Sequence, residues 1–75
     1  MKKTLECLAP GEWGVVSSIE GEEGMIRRLN DLGFITGTKV NCLHKSPLGD
    51  PVAFGVRGAV IALRWEDLKN IYITK

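Results

Sequence analysis

The spacing of apolar positions changes along this chain, and each change marks an element. From Trp13 to Ile19 (WGVVSSI) the period is two, with Trp13, Val15, Ser17 and Ile19 on one face. Gly14, Val16 and Ser18 take the other, and the β-branched residues among them suit a pleated strand. After Glu20–Gly24 the period lengthens. Met25, Leu29 and Leu32 recur at i, i+4 and i+7 with Ile26 alongside, the stripe of an amphipathic helix near 22–32. Glutamates gather at its start, where the helix dipole favours them, although no Ser, Thr, Asp or Asn caps it. Glu23 and Arg27 are spaced for a favourable i, i+4 pair. Gly33 supplies the left-handed residue that closes many helices. Phe34 and Ile35 are expected to tuck under the sheet edge and fill the corner, with Leu29 and Leu32 seating the helix. Gly37, between two threonines, turns the chain again.

Period two returns in Lys39–Lys45 (KVNCLHK), where Val40, Cys42 and His44 share one face and Asn41 and Leu43 the other. SPLGDP follows, a hairpin connection rich in breakers. In Val52–Val56 the core face is Val52, Phe54 and Val56, and the small Ala53 and Gly55 opposite imply a close neighbour. Arg57-Gly58 reads as a tight turn into a strand over Ala59–Leu63. Residues 65–69 have room for one helical turn, and Ile71 and Ile73 mark a last strand. Ahead of all this, Leu5 and Leu8 flank a lead-in that ends at the Pro10-Gly11 turn. The pattern predicts a mainly β protein with a short helix, folded as a small SH3-like, partly open barrel of about five strands. One domain is expected over residues 1–75.

Composition narrows the function. A chain of 75 residues buries only ~60% of its unfolded surface, so the core is thin. At 44% hydrophobic it should still fold alone. Ten basic and nine acidic residues leave a net charge of +1, which argues against a nucleic-acid-binding module and against a polybasic membrane tether. No apolar run approaches the ~20 residues of a membrane span. The opening MKKTLECLAP, with Lys2 and Lys3 ahead of a short apolar run broken by Glu6, does not read as a signal peptide. A cytoplasmic protein is expected, with Cys7 and Cys42 as free thiols.

Candidate chemistry is sparse. The single histidine is His44, no serine sits in a nucleophile elbow, and GEEG and GFITG lack the lysine and spacing of a phosphate loop. No enzyme and no cofactor are expected. Cys42 and His44 on one strand face offer two metal ligands, with Cys7 as a possible third, but the close pairs typical of zinc sites are missing. The plainer reading makes Cys42 a small buried apolar residue and His44 a half-exposed residue near a strand end, so no metal site is assigned. Five scattered aromatics argue against a groove for proline-rich peptides. Trp65 suits a lid over the barrel end or an exposed anchor. Arg27 and Arg28 suit a solvated helix face or contact with an acidic partner.

Four stretches add up to a resemblance: TLECLAPGEWGVV, RRLNDLGFITGTKV, SPLGDPVAFGVRG and AVIALRWEDLKNIYI. In this order they cover nearly the whole chain, and together they resemble the FeoA family, small cytoplasmic proteins of bacterial ferrous iron transport. The resemblance implies an SH3-like barrel with a helix inserted after the first long strand. It also implies a non-enzymatic accessory or regulatory role and a partner, the membrane GTPase transporter FeoB. Arg27, Arg28, Asn30 and Trp65 are the expected partner contacts. The alternative is a transition-metal-binding SH3-like module, related to the C-terminal domain of DtxR-type repressors. The two domains that precede it in those repressors are not found here.

Overall fold

A computed structural model of the chain describes residues 3–75; Met1 and Lys2 of the charged lead-in lie outside them. The elements are β1 (Lys3–Thr4), a 3₁₀ turn (Leu5–Cys7), β2 (Trp13–Ile19), α1 (Glu23–Leu32), β3 (Lys39–Lys45), β4 (Val52–Val56), β5 (Ala59–Leu63), α2 (Trp65–Leu68) and β6 (Ile71–Thr74). All six strands join one antiparallel sheet in the order β1-β6-β2-β3-β4-β5. The outer strands β1 and β5 do not pair with each other, so the barrel stays partly open. The strand beyond the expected five is β1. Two residues are too few for any period to show. Among the described residues no helix is long and apolar enough to cross a membrane.

The core sits inside this curved sheet: Val16, Val40, Cys42, Val52, Phe54, Val56, Leu63, Ile71 and Ile73 from the strands, with Leu5, Leu8, Leu29, Phe34 and Leu68 closing it. Phe34 and Phe54 meet edge to face, their centroids 6.4 Å apart, a geometry that aromatic rings prefer. Each of these fully buried side chains contributes roughly 1.5–3 kcal/mol by leaving water.

Two bulges decide which residues face that core. In β2 the pairing runs Val16↔Ile73, then Ser18↔Tyr72 and Ile19↔Ile71. The extra residue reverses the alternation between Val16 and Ile19. Val16 is therefore buried and Ile19 half-buried, while Trp13 and Val15 are exposed. The face that looked more apolar in sequence thus points outward over its first half. In β3 the pairing runs Cys42↔Phe54, then His44↔Ala53 and Lys45↔Val52, with Leu43 as the extra residue.

α1 ends as its glycine suggests. Gly33 is left-handed (φ 112), its N–H donates to Asn30 O, and the N–H of Phe34 donates to Leu29 O at 3.0 Å. This double closure, with buried Leu29 and Phe34 stacked across it, is the Schellman arrangement. Two expectations at this corner fail. Leu32 is 37% and Ile35 41% exposed, because a ten-residue helix over so small a barrel seats only one row of side chains. Leu29 fills that row, with Met25 packed at its margin.

Candidate functional site

Arg28 stands apart from the other expected contact residues. Its Nη2 donates to Asp67 Oδ1 at 2.9 Å, joining α1 to α2. Asp67 is buried, while half of the Arg28 side chain meets solvent. Asp67 also belongs to the fold through its backbone, whose N–H donates to Arg64 O and whose carbonyl accepts from Asn70. Arg28 is thus a latch between two helices. Arg27 points into solvent, 76% exposed, with only a loose 3.8 Å approach to Glu23, a pair worth a few tenths of a kcal/mol at most. Asn30 is exposed nearby on the same helix.

Trp65 lies elsewhere. It borders a hollow of about 450 Å³ with Val52, Leu68, Lys45 and Leu48, whereas Arg28, Met25, Asp67 and Asn70 line a separate one. The four expected contacts therefore form two patches, one on α1 and one at the far side of α2. Trp65 is half exposed with Lys69 Nζ 5.0 Å above its ring, so it is a rim residue and not the lid. Its backbone N–H, left without a partner by the short helix, donates to Asp50 Oδ1 at 2.8 Å, which pins the SPLGDP loop to α2. That loop carries Leu48, 95% exposed. Sequence reasoning passed over Leu48, although an apolar residue inside a run of turn formers was a readable signal.

The Cys42–His44 pairing does not survive the bulge in β3. His44 lies opposite the outward Ala53 and is exposed, while Cys42 lies opposite the core residue Phe54 and is fully buried. Burial pushes the Cys42 thiol up from its ordinary value, and nearby Lys45 only partly offsets this, so the thiolate that a metal needs is disfavoured. Cys7 is exposed and unpaired. Among the described residues no three His, Cys, Asp or Glu side chains gather closely enough to hold a metal ion.

Glu12 ties the start of β2 to the residue that follows its neighbour β6. Its Oε1 accepts the backbone N–H of Ala9 at 2.7 Å and lies 3.1 Å from Lys75 Nζ. The Ala9 bond first and Lys75 second hold its carboxyl below the ordinary 4.5.

Comparison with known proteins places the architecture. The FeoA domain family matches residues 3–75. A fusion protein of Porphyromonas gingivalis, named Fe(2+) transport protein A/Fe(2+) transporter FeoB, is 29% identical over 66 residues, 88% of this chain. This chain spans only 8% of that relative's length. FeoA of Stenotrophomonas maltophilia, solved with zinc and described as a prokaryotic SH3 domain protein, superposes with a TM-score of 0.82 at 31% identity, covering 95% of this chain and 88% of that one. A manganese-dependent transcriptional repressor superposes at 0.89 with 17% identity, over 99% of this chain and 36% of its own; at that identity the likeness is one of fold. The open SH3-like barrel with its inserted, glycine-closed helix, matched from residue 3 to residue 75, makes this chain a member of the FeoA domain family.

Proposed function

We propose that this chain is a small, non-enzymatic, cytoplasmic accessory protein of ferrous iron uptake, a single domain that acts by binding an FeoB-type membrane GTPase transporter. The observation that carries the reading is the Porphyromonas gingivalis relative, which joins a transport protein A and an FeoB transporter in one chain. Covalent linkage raises the effective concentration of one module at the other, and a fusion makes physical sense where the two work in contact. The contact surface in this reading comprises Arg27 and Asn30 on α1 together with the Trp65–Leu48 rim. Both patches are exposed, and large aromatic side chains of this kind dominate binding energies.

The test is a titration of the ¹⁵N-labelled protein with the cytoplasmic GTPase domain of an FeoB transporter. Shifts should concentrate on residues 27–30, 48 and 65, and Trp65→Ala should weaken binding about tenfold, as loss of ~1.4 kcal/mol at an anchor does. Arg27→Glu is the right charge reversal. Arg28→Glu is not, because it would also break the latch to Asp67. No shift at any residue with millimolar domain would defeat the reading.

A further inference from the structure

Among the described residues β5 closes the sheet order, with no strand beyond it. Its sequence, AVIAL, holds no charge and no proline, and it pairs with β4 without a bulge. Those are the devices by which soluble proteins blunt a free edge. The preceding turn fixes which backbone groups are free. Arg57 (φ 52) and Gly58 (φ 81) are both left-handed between the paired Val56 and Ala59, the two-residue type I′ turn. Val56 and Ala59 therefore exchange the hydrogen bonds that close the hairpin. By alternation, Phe54 with Ile61 and Val52 with Leu63 do the same. Val60 and Ala62 then direct their N–H and C=O away from β4. Ala59, Val60 and Ala62 are exposed, Val60 to 70%, and Ile61 is only partly buried. An arginine stands at each end of the strand, Arg57 in the turn and Arg64 before α2; both are exposed and neither makes an ion pair among the described residues.

We propose that the free edge of β5 receives an extended segment of another protein, apolar at its centre and acidic at both ends. The segment adds a seventh strand. Val60 and Ala62 supply two donors and two acceptors, and the arginines hold the acidic ends. A second copy of this chain fits poorly. The two-fold pairing that sets Val60 against Ala62 of the other copy puts Ile61 opposite Ile61 and brings Arg57 beside Arg64 at each end. Like charges so placed repel. Acidic ends reverse that sign. Strand addition of this kind draws affinity from main-chain bonds and specificity from flanking groups. The inference stands whether or not the partner is the transporter proposed above.

The probe is an acetylated, amidated seven-residue peptide, glutamate at both ends and valine alternating with threonine between. Added to the ¹⁵N-labelled protein, it should shift the amides of Val60 and Ala62 most and slow their exchange with solvent. Ala62→Pro removes one outward N–H that the sheet does not use, and should abolish these effects. The double variant Arg57→Glu, Arg64→Glu leaves every backbone group in place. It should bind the peptide at least about tenfold more weakly and prefer the same peptide with lysine ends. No shift at Val60 and Ala62 with millimolar peptide overturns the proposal. So does equal binding of acidic-ended and lysine-ended peptides by the unaltered protein. Concentration-dependent protection of those two amides without peptide would hand the edge to a second copy and overturn it as well.

Discussion

Gly33 meets two demands that no other residue type satisfies. Its φ of 112 disfavours any side chain, and a Cβ there would stand 2.9 Å from Val56 Cγ1 in the packed core. Gly33→Ala is expected to lower stability by about 1–2 kcal/mol, read from the midpoint of urea unfolding. Gly37, with φ 92 but open space around it, should cost less on the same change. Glu12 gives the pH-dependent counterpart. Its carboxyl is held below the ordinary value by Ala9 and Lys75, so the folded state binds that proton less readily than the unfolded chain does. The stabilisation is complete above the ordinary carboxylate value and disappears as pH falls through the lowered one. A ¹³C-detected titration should find Glu12 below 4.5. Lys75→Ala should move it only part of the way back, since the Ala9 bond remains. The helix-closing role of Gly33 was legible in the sequence because it depends on neighbours five residues away or fewer. The Glu12–Lys75 bond was not, since it joins opposite ends of the chain.

Elements follow the same division. Strand limits and the helix were readable because each rests on a local signal: Lys39–Lys45 and Val52–Val56 fall where alternation puts them, and Ala59–Leu63 where the Arg57-Gly58 turn does. The bulges were not. A period-two reading assumes one residue per step, and a single extra residue at Leu43 sends His44 outward and leaves Cys42 inside. That step separates the two members of the candidate metal pair. The latch between the helices was hidden for another reason: Arg28 and Asp67 are 39 positions apart, and Arg28 by itself suited a solvated helix face. Because Asp67 is nearly buried and Arg28 half exposed, the pair should couple by about 1 kcal/mol, above the median for exposed pairs. A double-mutant cycle with Arg28→Ala and Asp67→Asn measures this in urea. A coupling indistinguishable from zero would mean that the ion pair adds nothing to the core packing of Leu29 and Leu68.

At the scale of the molecule, the sheet order is the informative feature. β6, the last strand in sequence, lies between β1 and β2. Among the described residues β1 has no other neighbour, and the inner face of β2 rests on Ile71 and Ile73. A ribosome delivers these elements in another sequence from the one in which they pair. Until residues 71–74 leave the exit tunnel, β1 has no strand to pair with and Leu5 and Leu8 have no finished wall to close. The nascent chain therefore carries exposed leucines and an unclaimed strand edge until β6 emerges. The barrel assembles in one late step rather than progressively from its N-terminus.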